Sequence, residues 1–263
     1  MIAGARWRPF AAPTLALGAF LALAALPDLW ASFLGVLFPE ERRLLFQDPM
    51  LGLVGEHLAM VGLSSGLAVT VGLALGVFVT RPAGADFLGV VTDLVNLGQT
   101  FPPVAVFTLA VPLLGYGFEP TVLALTLYSI LPVLQNTVAG LSGLPQGVVE
   151  SARAMGMRPL DVLRRVELPL ATPVILSGVR VAVVANVATA TIGAIAGAGG
   201  LGAPIISGLV NQDPAVTLQG AILAAALALI VDAYLGAAER ALARSTPGGA
   251  RAPGAPGVQE PIA

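Results

Sequence analysis

The chain has 263 residues, 56% of them hydrophobic and only 11% charged, with a formal net charge of −2 at pH 7. A soluble domain carries about 25% charged residues, so this composition excludes a water-facing globular surface and sets the outer surface against lipid. There is no cysteine and a single histidine, and all 13 basic residues are arginine; this excludes disulfide and thiolate chemistry and the lysine of a Walker A phosphate loop, and argues against zinc.

Only helices and closed barrels satisfy the backbone inside lipid, and the apolar runs here are too long and too little alternated for barrel strands. The expected fold is therefore all-α and polytopic, with about six transmembrane helices. The first run, 11–26, follows Arg6 and Arg8. It reads either as a signal peptide, with Ala22-Leu23-Ala24 resembling a cleavage site, or as a retained helix extended through Trp30 to Phe38; the retained helix is favoured. Residues 39–49 form a polar connection, and 1–50 is one N-terminal unit. The second run, 58–80, stops at Arg81-Pro82, and the third, 87–114, is interrupted at Gln99-Thr100-Phe101-Pro102-Pro103, where two prolines remove helical donors. A fourth run covers 120–141, a fifth 171–196 and a sixth 216–238, within a core unit of 51–242. The tail, 243–263, is rich in Pro, Gly and Ala and is expected to be disordered and cytoplasmic.

Six crossings with the N-terminus inside put ten arginines on the cytoplasmic side and only Arg42 and Arg43 outside, so both termini are expected in the cytoplasm.

Within the apolar runs, Asn96, Gln99, Asn136, Asn186, Thr189 and Thr191 read either as helix-to-helix hydrogen bonds, worth about 0.6–2 kcal/mol each, or as the lining of a solute path. Gln99, Pro102, Asn136, Asn186 and Thr189 are the candidates for that path. Arg180, inside the fifth run, needs a partner, because a central membrane charge costs about 2.5–3.5 kcal/mol on insertion scales. Asp93, at comparable depth in the third run, is the expected partner. His57, beside Glu56, reads as an interfacial histidine bonded locally. The stretch GAGGLG at 197–202 matches G-x-G-x-x-G, but it lacks the short preceding strand and the acid about 20 residues on that a dinucleotide site needs, so it reads as a turn.

The segment ESARAMGMRPLDVLRRVELPL, 150–170, carries seven charged residues, within a loop taken as 142–170. Residues 147–156 suit a short helix with Val149, Ala152 and Gly156 on a small-residue face open to another protein. Pro159 suits the first turn of a second helix, and Leu168-Pro169 is expected to stop it.

This arrangement resembles the signature loop of permease subunits in binding-protein-dependent ABC importers: E-A-A, three residues, G, nine residues, I-x-L-P. Here it reads Glu150-Ser151-Ala152, Gly156, then Val166-Glu167-Leu168-Pro169, with every spacing kept. The segments EHL, GQTFPPVAV, LYSILPVLQNT, GMRPLDVLRRVELPLATPVILSGVR, GAGGLG and DAYL are similar, more narrowly, to permeases of osmoprotectant importers; Gln135 and Pro103 depart from that pattern. The resemblance implies a type I ABC importer permease fold in the bacterial inner membrane. It implies an osmoprotectant such as glycine betaine, choline or carnitine, with an importer of another small solute, such as an amino acid, as the alternative. It implies a second permease copy or paralogue, an extracytoplasmic solute-binding protein, and an ABC ATPase that holds the ATP and Mg. No enzyme activity, cofactor or nucleic-acid partner is expected of this chain. Glu150, Ser151, Ala152, Gly156, Leu168 and Pro169 would couple it to the ATPase. An ion-coupled transporter would want paired acids near the midplane, where only Asp93 and Asp232 approach, and a passive channel would want a repeated filter, which is not seen.

Overall fold

An apolar chain in lipid must bond its own backbone, and where the sequence offers no interior charge the helix runs on until proline or glycine stops it. The computed structural model describes residues 8–40 and 45–243, so the expected tail, apart from position 243, lies outside the described residues. Helix α1 (Arg8–Ala25) ends at Leu26, and α2 (Pro27–Leu37) leaves at 80° to it, with Pro27 in its first turn. The expected extension through Trp30 to Phe38 is thus a second helix set at an angle, ending at Leu37: Leu26 precedes a proline and is pushed out of the helical region.

Helix α3 (Met50–Val79) begins well before position 58, because Glu56 and His57 find partners inside the fold rather than ending the helix. Helices α4 (Leu88–Thr100) and α5 (Pro103–Leu114) meet at 91° across Phe101-Pro102, at the interruption expected from the proline pair. Helix α6 (Phe118–Ser142) is followed by α7 (Gln146–Ala154) and α8 (Pro159–Val162). A π-helical turn, Leu163–Glu167, then joins α9 (Leu168–Thr189) and a 3₁₀ stretch, Ala190–Ala196.

Residues Pro159–Ala196 form one rod of 38 residues, so Leu168-Pro169 does not stop the helix. The Leu168 N–H bonds the Leu163 carbonyl, five residues back, and this register shift carries the helix past a proline that has no N–H of its own. After the glycine turn come α10 (Gly202–Val210), which the sequence reading did not foresee, and α11 (Pro214–Ala243).

Four single helices are long and apolar enough to cross a membrane, and the two bent pairs raise the count to as many as six among the described residues. Helices α3, α6 and α9 pack at the centre through small residues. A Cβ on Gly72 would lie 2.8 Å from Val133 Cβ, and one on Gly76 2.6 Å from Thr137 Cβ. Backbones approach this closely only where side chains are missing, the packing mode of membrane helices. Val90, Leu94, Leu109, Leu113 and Leu229 stay exposed on the outside of the bundle, as lipid-facing side chains do.

Candidate functional site

The charged segment folds into α7, laid against the foot of the rod, and α8, which is the first turn of the rod itself. Helix α7 packs on α8 and the π turn, with Ala152 as its buried residue and Val162 as that of α8. This corrects the expected small-residue docking face: Ala152, 2% exposed, turns inward, where a methyl group lets α7 sit close to its own chain. The open side carries Val148, Glu150, Ser151, Arg153, Met155 and Gly156, with Leu160 exposed beyond the turn. Ser151 Oγ donates to the Gly147 carbonyl at 2.6 Å. Gly156 has φ of 81°, and a Cβ there would meet nothing within 4 Å. The backbone therefore favours glycine at this turn, and the space beside it is free.

Glu167, 4% exposed, lies in the π turn, and its Oε2 is 2.6 Å from Arg81 Nη1 just beyond α3. The contact is electrostatic rather than a well-directed hydrogen bond, and Arg81 Nε is buried without a partner. It ties the end of α3 to the segment that carries α7 and α8.

Arg180 does not pair with Asp93. Its Nε and Nη2 donate to Asp232 Oδ1 and Oδ2 at 2.6 and 2.7 Å, and its Nη1 donates to Glu239 Oε2 at 2.9 Å. The guanidinium lies over Gly236, whose missing side chain makes the room. Asp93 is exposed on α4. The planar fork of arginine matches a carboxylate bidentately, and α11, packed along α9, brings two carboxylates to Arg180, while Asp93 on the bent α4 stays exposed.

The proline break is held from α6. Gln99 Nε2 donates to the Tyr128 carbonyl at 2.6 Å, and the Tyr128 hydroxyl donates to the Phe101 carbonyl. Pro132 has no N–H to offer the carbonyl four residues before it, so Gln99 fills the acceptor that Pro132 leaves open. Pro102 is exposed at the bend. Asn136 Nδ2 donates to the Pro132 carbonyl at 2.8 Å and packs against Gly178, while Thr189 is half-buried at the end of α9.

Asn186 takes the first of its two expected roles, that of a helix-to-helix hydrogen bond. It is 1% exposed, accepts from Ser129 Oγ at 2.6 Å, and donates to Ser64 Oγ at 3.1 Å and Ser65 Oγ at 3.0 Å. Its amide is consumed in joining α3, α6 and α9.

At the other end of the bundle His57 is fully buried, and its Nε2 faces the Val187 carbonyl at 2.9 Å, so it is neither interfacial nor bonded locally. Glu56 Oε2 accepts the Gly200 N–H at 2.9 Å. Gly197, Gly199 and Gly200 all have positive φ, and successive amides in such a turn form a concavity suited to an anion. The chain's own Glu56 carboxylate sits there, which leaves a nucleotide phosphate no place. Sequence reasoning took Glu56 and His57 as edge residues; the adjacent titratable pair within a helix that has no other was the available signal. Among the described residues no group of His, Cys, Asp and Glu is arranged to hold a metal ion.

The family of binding-protein-dependent transport system inner membrane components matches residues 68–244. The chain is 40% identical over 189 residues to the osmoprotectant import permease protein OsmY of Salmonella typhimurium, covering 72% of this chain and 80% of that protein. It is 40% identical over 195 residues to the choline transport system permease protein OpuBB of Bacillus subtilis, covering 74% and 87%. Among solved structures, an inward-facing form of the MetNI methionine ABC transporter superposes with a TM-score of 0.66 at 26% identity, covering 75% of this chain and 99% of that one.

Proposed function

Because this chain belongs to the family of binding-protein-dependent transport system inner membrane components and is a membrane permease subunit of an ABC importer, we propose that its solute is an osmoprotectant of the quaternary-amine class, such as glycine betaine, choline or carnitine. The observation that carries this reading is the 40% identity to two curated permeases of that class over most of the permease core. An amino-acid solute is the second reading, favoured by the structural likeness to a methionine transporter, though at 26% identity.

In the proposed assembly both termini and the 146–170 segment face the cytoplasm. The exposed side of α7, with Glu150, Ser151 and Gly156, docks on an ATPase subunit that binds ATP and Mg; Ala152, Leu168 and Pro169 shape the segment from behind. A solute-binding protein delivers the solute at the opposite face, and a second permease completes the path. The bend at Gln99 and Pro102, with Asn136 and Thr189, stands beside that path. The chain itself does no chemistry: it converts closure of the ATPase dimer into a change of access.

The test is uptake into proteoliposomes holding permease, ATPase and binding protein. Labelled choline, glycine betaine and carnitine are compared with methionine, with ATP depleted in a parallel sample while the ion gradient is held. ATP-dependent uptake of a quaternary amine supports the reading. Uptake of methionine alone would move the substrate class to amino acids, and uptake that survives ATP depletion would remove the importer mechanism.

A further inference from the structure

The rod Pro159–Ala196 has two soft joints. One is the π turn Leu163–Glu167, where the helical register slips just before Pro169. The other is the far end, where α9 tightens into the 3₁₀ stretch and then enters a turn with three glycines at positive φ. A push on α7 and α8 could be absorbed at the first joint, and a displacement of the rod could be lost at the second.

Helix α3 splints both joints. At the first, Glu167 lies inside the π turn and is held by Arg81, two residues beyond α3. At the second, Glu56 Oε2 holds the Gly200 amide and His57 Nε2 holds the Val187 carbonyl. The change of pitch at Ala190 deprives Val187 of its helical donor, and the histidine supplies one, which sets the proton on Nε2. Between the splints Asn186 donates to Ser64 and Ser65, so the two helices are joined along their length as well as at their ends. Room is minimal at the second joint: a Cβ on Gly199 would collide with Glu56, and one on Gly200 would lie 3.1 Å from His57 Nδ1.

We propose that α3 and the α9 rod move as one body, and that Glu167 and Glu56 are positioning residues that carry a displacement of the docking helices to the glycine turn 197–202. The inference rests on the reading of segment 146–170 as the ATPase contact. Neither residue needs to touch solute or nucleotide. Each prevents a joint from yielding, so that closure of the ATPase at one end resets the turn at the other.

The absence of native cysteine makes single-site labelling clean. Spin labels are placed separately at Gln146→Cys on α7 and at Ile195→Cys, an exposed position in the 3₁₀ stretch. The permease is reconstituted with its ATPase and binding protein, and label mobility is compared between the nucleotide-free and vanadate-trapped states. In the otherwise native chain both labels are expected to respond. Glu167→Gln and Glu56→Leu, which has no acceptor for the Gly200 N–H, are each expected to keep the response at Gln146→Cys and to diminish that at Ile195→Cys about fivefold or more, within the usual range of site-to-site coupling. Exchange of the first pair, Arg81→Glu with Glu167→Arg, is expected to restore the response, and Glu56→Asp to restore part of it; a loss of fold alone would not be rescued in this way. A full response at Ile195→Cys in both Glu167→Gln and Glu56→Leu overturns the proposal. A native complex in which only the Gln146→Cys label responds overturns it too, leaving the ATPase reading intact. A native complex in which neither label responds overturns the ATPase reading and this inference together.

Discussion

Gln99 gives its side-chain amide to the backbone carbonyl of Tyr128 at 2.6 Å, four residues before Pro132, so a polar side chain on α4 repairs the hydrogen bond that a proline removes from α6. The same pair of elements is closed from the other side by the Tyr128 hydroxyl on the Phe101 carbonyl. The bend between α4 and α5 is therefore held in place from α6.

Gln99→Ala leaves the part-buried Tyr128 carbonyl open, and since a fully buried acceptor without a donor costs about 1–3 kcal/mol, the loss should lie at or below the lower end of that range. Pro132→Ala restores a helical N–H to the same carbonyl. In a double-mutant cycle, read by thermal unfolding in detergent, Gln99→Ala should be less costly on the Pro132→Ala background than on the native one. Strict additivity would show that the Gln99 bond does not serve the proline gap.

Arg180 is held by Asp232 and Glu239, so removal of either acid should matter and removal of Asp93 should not. An unpaired charge in the apolar layer costs about 2.5–3.5 kcal/mol on insertion scales, which bounds the loss for Asp232→Asn. Glu239→Gln should lose less, since Asp232 keeps two of the three bonds. Expression level and melting temperature in detergent are the readouts. Equal losses for Asp93→Asn and Asp232→Asn would contradict the pairing.

At Gly156 the backbone is left-handed and the space beside it is open. Asparagine tolerates this conformation, while other L residues lose about 1–2 kcal/mol in it. Gly156→Asn should therefore fold and stimulate the ATPase nearly as the native chain does. Gly156→Trp should insert but fail to stimulate, because its ring projects to where we propose that the ATPase docks. Glu150→Ala should weaken the same contact less. ATPase activity with and without loaded binding protein, beside a pull-down of the ATPase, separates these outcomes. Native stimulation by Gly156→Trp would falsify the docking role of this turn.

Orientation is tested by single cysteines. Tyr116→Cys and Asn211→Cys, exposed at the end of the bundle remote from α7, should react with an impermeant thiol reagent added outside, while Ala83→Cys and Ser142→Cys should not. The reverse pattern would invert the topology. Position 84 is unsuitable as a probe, because a side chain on Gly84 would collide with the Phe78 carbonyl.

Much of this was legible in the residues alone because it is written locally. Apolar runs must be helices in lipid, Pro102-Pro103 must break one of them, and the spacing from Glu150 to Pro169 is a one-dimensional pattern. Those features set the bundle, its bend and the position of the charged segment. The left-handed turn at Gly156 is local in the same way, since a helix end followed by glycine needs no distant partner.

Tertiary structure decided what depends on residues far apart in the chain. Asp232, 52 residues from Arg180, won the arginine from Asp93 because α11 packs along α9 with two carboxylates in reach. Glu56 met Gly200 across 144 residues, and Gln99 met a carbonyl whose vacancy only a proline on another helix explains. Ala152 turned inward because α8 folded back against it, and the rod ran past Pro169 because a π turn absorbed the lost bond. A chain pattern states which groups need partners; the choice among several eligible partners is made by which helices pack together, and that follows from the close approaches at Gly72, Gly76, Gly178 and Gly236.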